Sequence, residues 1–303
     1  MNPLDIIGDI HGQFLKLIGL LEALGYRHEG ATWKHPAGRR VVFLGDYIDR
    51  GPKVRDVLTT VRGMCEAGDA RAIMGNHEFN AILQSLPDRQ QAGSMDRGHG
   101  LQETLDQFAG RETEWSEWVD WMRRLPLFLD LGGLRAVHAC WDQAAIDSLG
   151  NRSLADDAFL HECAQRKSPE QLAVTRLLNG PELAVPDGAL VLNPKGMPLA
   201  QVRVRWWNLP SRQVDICDLA LPMTLDGRGM LSPEQLKGLP NYASDAPPVF
   251  FGHIWLPADH AKTPLAPNVA CLDFSVARGG PLVAYLWDGE QTLTADKFFS
   301  API

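Results

Sequence analysis

The apolar run Val41-Val42-Phe43-Leu44 passes without a break into Gly45-Asp46-Tyr47-Ile48-Asp49-Arg50-Gly51. A short apolar run bounded by turn residues reads as a buried strand. The two glycines let the chain turn tightly at its end and approach a ligand closely. Two carboxylates and an arginine beside such a strand are costly unless something cationic sits among them. Asp46 therefore reads as a metal ligand shared between two ions, and Arg50 as a phosphate clamp. The construction recurs in Gly8-Asp9-Ile10-His11-Gly12, Gly75-Asn76-His77-Glu78 and Gly252-His253, each opening on glycine after a strand-like run. One Gly-Asp at a strand end is a common turn. Four such stretches carrying His, Asp or Asn predict one site built from several strand ends.

The intervening chain supports that prediction. Strand-like runs at 4–8, 40–44 and 71–74 alternate with helical patterns over 13–24, 54–65 and 77–86. This rhythm implies parallel pairing and an α/β sheet, in which ligands gather beyond the carboxyl ends of the strands. The polar stretch 88–100 reads as a loop, with His99 a candidate substrate contact. Residues 101–124 read as two helices, and the stripe Trp115, Trp118, Trp121 and Met122 as core. A hairpin is expected over 127–131 and 134–138, about Gly132-Gly133. Helical pieces follow over 141–179, and from 180 to 248 periodicity fades and Pro and Gly become frequent. The expectation is one domain over 1–303, with 142–248 as a cap or substrate-facing insertion. Runs at 249–252, 270–274 and 282–287 return to strand, the last two expected to close a second, more antiparallel layer.

Composition narrows the function. A net charge of −8 leaves no bulk basic field for a nucleic-acid backbone. The five cysteines are scattered, with no C-x-x-C pair, which argues against a thiolate zinc site and a disulfide framework and fits a reducing compartment. No run approaches the roughly 18 apolar residues of a membrane span, and a first strand near residue 4 leaves no room for a signal peptide. A cytoplasmic location is the expectation.

The donors in the motifs are oxygens and imidazole nitrogens without thiolate, a set that suits manganese, iron, zinc or cobalt better than magnesium or calcium. Asp9 and His11, two apart, can face one side of an extended segment. Asp46 can share its carboxylate, Asn76 offers a neutral oxygen, and His138 and His253 offer imidazoles. That count suits two adjacent divalent ions, with hydroxide attack on phosphorus as the chemistry.

As an ordered set, Gly-Asp-x-His-Gly, Gly-Asp-x-x-Asp-Arg-Gly, Gly-Asn-His-Glu, a lone His after a strand and then Gly-His resembles the signature of the calcineurin-like metallophosphoesterases. The likeness is greatest to the branch of the Ser/Thr protein phosphatases and the bacterial symmetrical diadenosine tetraphosphatases. It spans residues 9–253 and implies a two-sheet β-sandwich flanked by helices. By that resemblance Asp9, His11 and Asp46 hold one metal, manganese first, and Asp46, Asn76, His138 and His253 hold the other. His77 is then the general acid, oriented by Asp49, and Arg50 binds phosphate oxygens. Met74 stands where the protein phosphatases carry Arg, and Ala139-Cys140 follows His138 in place of Gly-Gly. Gly252-His253-Ile254-Trp255 is closer to the dinucleotide hydrolases, whose second motif usually lacks the Asp49-Arg50 pair. The leading expectation is hydrolysis of a phosphomonoester, in a phosphoprotein or a small molecule. A dinucleoside polyphosphate or nucleotide hydrolase is the alternative, with a nucleic-acid end phosphatase and a non-catalytic phosphate-binding module behind it. Arg203 and Arg205, beside Trp206-Trp207, are candidates for a second clamp, with Arg205 favoured as substrate-facing and the tryptophans as base-stacking surfaces.

Overall fold

A computed structural model describes residues 3–30, 32–87, 100–193, 196–221 and 226–301. His99 and the rest of 88–99 lie outside them. The first half is the expected alternation: β1 (Leu4–Ile7), α1 (Phe14–Ala23), β2 (Arg40–Phe43), α2 (Val54–Glu66), β3 (Ala70–Ala72) and α3 (Asn76–Ser85). β1, β2 and β3 pair in parallel. Val54, Val57, Leu58, Val61 and Met64 bury one face of α2, and each such side chain contributes about 1.5–3 kcal/mol. After α4 (Leu101–Gln107) and α5 (Glu112–Met122), whose Trp118, Trp121 and Met122 are core, comes the hairpin of β4 (Phe128–Asp130) and β5 (Arg135–Val137).

Three helices follow: α6 (Gln143–Leu149), α7 (Asp157–Ala164) and α8 (Pro169–Asn179). The Ser168 side chain accepts from the Gln171 N–H and Pro169 opens α8, a strong helix start. Residues 182–231 form small two-stranded pairs, among them Glu182–Ala184 with Gln201–Arg203. Val191, Val202, Val204, Ile216, Leu219 and Leu231 give this region an apolar cluster of its own.

The chain ends with β6 (Val249–Phe251), β7 (Val269–Cys271), β8 (Val283–Trp287) and β9 (Phe298–Ser300). The expected second antiparallel layer does not form from the last long runs, because they enter different sheets. β7 continues in parallel from β6, whereas β8 crosses over and pairs antiparallel with β1. Gly279-Gly280 follows a 3-10 turn at Val276–Arg278, so it is no two-residue hairpin loop and the crossing is possible. The sheets run β9-β8-β1-β2-β3 and β7-β6-β5-β4. They share one core, and Phe250 of β6 meets Tyr285 of β8 across it, ring centroids 5.0 Å apart. All the motifs follow strands of these two sheets, which places them at one end of the sandwich. No helix among the described residues is long and apolar enough to cross a membrane.

Candidate metal centre

Backbone strain gathers where the motifs leave their strands. Among the described residues, His11, Asp46, Asp49, Arg50 and His253 are five of the eight non-glycine residues with positive φ. Such residues cost about 1 kcal/mol or more each and persist only where their surroundings over-determine them. Much of that determination comes from Glu78, which is fully buried. Its carboxylate accepts from the backbone N–H groups of Gly75 at 2.9 Å, Asp46 and Tyr47 at 2.8 Å and Ile48 at 3.2 Å. Two glycines admit carboxylates where no side chain would fit. A Cβ on Gly75 would lie 2.2 Å from Asp46 Oδ1, and one on Gly252 would lie 1.9 Å from Asp9 Oδ1.

Asp46 stands at the centre, with its two oxygens facing different imidazoles. Oδ2 lies 3.4 Å from His11 Nε2 and 3.9 Å from His77 Nε2, while Oδ1 lies 3.4 Å from His138 Nε2. Two donor groups, His11–Asp46–His77 and Asp46–His138–His253, are each close enough for one ion, and they share Asp46. Asp9 stands outside both groups. Its carboxylate accepts from the His253 N–H at 3.1 and 3.2 Å. Asn76 Oδ1 lies 3.0 Å from His138 Nε2 and 2.9 Å from His253 Nδ1.

The residues fit divalent ions. His138 Nδ1 donates to the Leu44 carbonyl at 2.7 Å and His11 Nδ1 to that of Ile48 at 2.9 Å. Each imidazole therefore aims its Nε2 lone pair inward, as metal-binding histidines do when a carbonyl holds the other ring nitrogen. Around His138 that lone pair converges with the oxygens of Asp46 and Asn76, which is repulsive unless a cation or a proton lies among them. His253 Nε2 is buried without a hydrogen-bond partner.

The titration directions agree. Burial alone would lower the His138 pKa, but the Asp46 carboxylate outweighs it and the pKa rises. Burial likewise opposes the ionised Asp46, yet His138 and His77 hold it well below the usual carboxyl range. His11 is depressed to about 3, chiefly by burial. Burial and the neighbouring carboxylates Asp273 and Asp46 push Asp9 well up, and burial pushes Asp273 to about 6 and Glu78 to about 7.

Two further groups face this cluster. His77 Nδ1 lies 2.5 Å from Asp49 Oδ2. Thr104 Oγ1 accepts from the Asp49 N–H at 3.0 Å and donates to Asp49 Oδ1 at 2.6 Å. Arg50 Nη1 donates to His11 Nε2 at 3.1 Å. A cavity of about 670 Å³ opens over Asp46, Arg50, Asn76 and His77, with Arg176 and Arg203 also in its lining. The Arg176 Nη1 and Arg203 Nε are buried without hydrogen-bond partners.

Arg205, expected to face substrate, does not line this cavity, whereas Arg203 does. The strand Gln201–Arg203 ends before Arg205. The Arg205 N–H then turns to the Leu219 carbonyl, inside the small cluster. The tryptophans beside it are not stacking surfaces. Trp206 and Trp207 are 1% and 4% exposed, and Trp206 Nε1 donates to the Ala139 carbonyl at 2.9 Å. Sequence reading passed over Thr104, Asp273 and Arg176. It also passed over Glu78, although Gly75 at the N-cap followed by Glu at N3 resembles half of a capping box.

The family model for calcineurin-like phosphoesterases matches residues 3–254. The chain belongs to this family. Among curated members, the asymmetrical bis(5'-nucleosyl)-tetraphosphatase PrpE of Halalkalibacterium halodurans is 36% identical over 33% of this chain and 39% of its own length. The symmetrical bis(5'-nucleosyl)-tetraphosphatase of Ralstonia nicotianae is 26% identical over 78% of this chain and 84% of its own. The first curated relatives are thus matched over only about two-fifths to a half of their length. A protein serine/threonine phosphatase from Saccharomyces cerevisiae shares the fold at a TM-score of 0.53 and 12% identity, covering 100% of this chain and 80% of that one.

Proposed function

We propose that this calcineurin-like phosphoesterase hydrolyses phosphoanhydride bonds of nucleoside polyphosphates with two divalent ions, manganese first. His11 and Asp46 would hold one ion, with Asp9 as the further ligand that the family resemblance implies and His77, although within reach of the same ion, kept apart as the acid by its contact with Asp49; Asp46, Asn76, His138 and His253 would hold the other. When bound, such a pair lowers the pKa of water at the site and neutralises phosphate charge. Arg50 binds and orients the phosphate under attack by paired N–H groups. Asp49 fixes the tautomer of His77 through Nδ1, so Nε2 is left to protonate the leaving oxygen. In the metal-free protein burial opposes the charged imidazole, but Asp46 and Asp49 raise its pKa.

The observation that carries the substrate class is the three guanidiniums, Arg50, Arg176 and Arg203, around one cavity. A phosphomonoester presents one phosphate, whereas a run of phosphates can reach guanidiniums spread around a cavity. The named activity of the Ralstonia relative supports the same class. The Asp49-Arg50 pair favours phosphomonoesters as the second reading. Diadenosine tetraphosphate, ATP, p-nitrophenyl phosphate and a phosphopeptide, assayed side by side with manganese, decide between them. The polyphosphates are expected to give the higher kcat/KM. Turnover of the phosphopeptide with inert polyphosphates would reverse the assignment.

A further inference from the structure

The rim of the same cavity holds an arrangement that the hydrolysis chemistry does not use. Trp255 is partly exposed and lines the cavity. Two guanidiniums lie over its ring: the Arg50 Cζ is 4.5 Å from the ring centroid and the Arg278 Cζ is 3.8 Å. The second distance is a close van der Waals contact of the guanidinium with the ring. Arg278 is exposed, and among the described residues its guanidinium makes no hydrogen bond or ion pair.

The backbone that presents Arg278 is fixed from three directions. Lys16 Nζ donates to the carbonyls of Val276 at 3.3 Å and Gly280 at 2.7 Å. Ser275, at φ 60°, donates its hydroxyl to the carbonyl of Leu256, the residue after Trp255, at 2.8 Å. The Ser275 N–H is held by Asp273 Oδ1 at 2.9 Å. The turn and the tryptophan are therefore tied together, and the exposed guanidinium is held against the same ring as the proposed phosphate clamp.

We infer that Trp255 and Arg278 form the shelf on which the planar base of a nucleotide stacks while its phosphate lies on Arg50. The inference rests on the proposed function only for the position of that phosphate. Guanidinium planes and indoles both stack on bases. The proposed phosphate contacts, Arg50, Arg176 and Arg203, already lie in the cavity lining. Arg278 is outside the lining itself but lies exposed over the ring of Trp255, which does line the cavity, and so offers a base a planar group beside it. Trp255 has a double role, since the same ring also contacts the clamp.

The test compares two ligands that differ only in the base. AMP and ribose 5-phosphate are titrated calorimetrically into the manganese-loaded protein. Wild type is expected to prefer AMP by about tenfold or more, the scale of one stacking contact. Arg278→Ala and Arg278→Lys should both bring that ratio close to one while leaving ribose 5-phosphate affinity nearly unchanged, because lysine keeps the charge and loses the plane. A wild-type ratio of one, or a ratio that survives in both variants, overturns the shelf. Equal weakening of both ligands by Arg278→Ala also overturns it, since the residue would then read charge and not the base. Wild type that shows the AMP preference but cleaves no phosphate bond sinks the hydrolysis reading and leaves the shelf standing.

Discussion

Thr104→Val is the most informative single change, because it touches no proposed ligand and no substrate. The side chain is fully buried, and valine replaces its hydroxyl by a methyl of similar size. Two bonds vanish: the one from the Asp49 N–H at 3.0 Å and the one to Asp49 Oδ1 at 2.6 Å. The first leaves a buried backbone donor unpaired and the second removes a hydrogen bond to a carboxylate. Together they amount to about 2–4 kcal/mol, since single losses of these kinds run to roughly 1–3 kcal/mol and do not add fully. Asp49 is also the partner of His77 Nδ1, so the loosened carboxylate should misalign the proton donor. Urea denaturation reads the first effect. The second appears as a kcat loss that is large for poor leaving groups and small for p-nitrophenyl phosphate. Thr104→Ser keeps both polar bonds and should restore the kcat pattern. Stability within about 0.5 kcal/mol of wild type, with an unchanged leaving-group dependence, would refute the chain from Thr104 through Asp49 to His77.

Three other outcomes follow from the same geometry. Asp46→Asn should lower the bound manganese from two ions per chain, measured by metal analysis after dialysis, because one carboxylate serves both donor groups; two tightly held ions in the variant would exclude the bridging role. His77→Asn should keep metal content and lower kcat by about 10²–10⁴-fold, the usual share of general acid catalysis, and loss of an ion would show His77 to be a ligand. For the metal-free protein, the depressed His11 and His253 favour stability as pH rises towards the free-imidazole value of 6.5, opposing the raised carboxyls. Above that value the raised His77, His138 and Glu78, the last at about 7, all bind protons more tightly when folded. Stability should therefore fall between about pH 6.5 and 8 and be restored by manganese; urea curves that do not change over that interval would contradict it.

The sandwich and the gathering of the motif side chains at one end of it were legible because they rest on local signals. Strands buried on both faces must be apolar throughout, as Val41–Leu44 is, and the residues that follow them share one end of the sheet whatever the long-range details. The partners of β7 and β8 were not legible, since two short apolar runs carry no mark of which sheet each joins. Arg203 and Arg205 illustrate a second limit. They have the same parity along a strand, so alternation ranks them equally, and only the fold separates them: Arg203 ends the strand paired with Glu182–Ala184, and beyond it the chain bridges to 219–221. Trp206-Trp207 beside an arginine read as a stacking surface, but indoles bury large area and these two went to the core. Thr104 lies 55 residues from Asp49 and had no local signal at all.

Glu78 bears on how such a site can exist before any ion arrives. Five strained residues at strand ends cost about 1 kcal/mol or more each, and ions that bind only the folded chain cannot hold those loops during assembly. The Glu78 carboxylate can, because it gathers four backbone N–H groups across the second and third motifs from within the protein. Glutamine at this position has one carbonyl oxygen and must turn an NH2 towards two of those donors. The loops around Asp46 would then lose half of their tether on whichever side the amide faces. The charge that makes Glu78 costly to bury is thus also what makes it an acceptor for four donors at once, and a neutral side chain of the same shape cannot replace it.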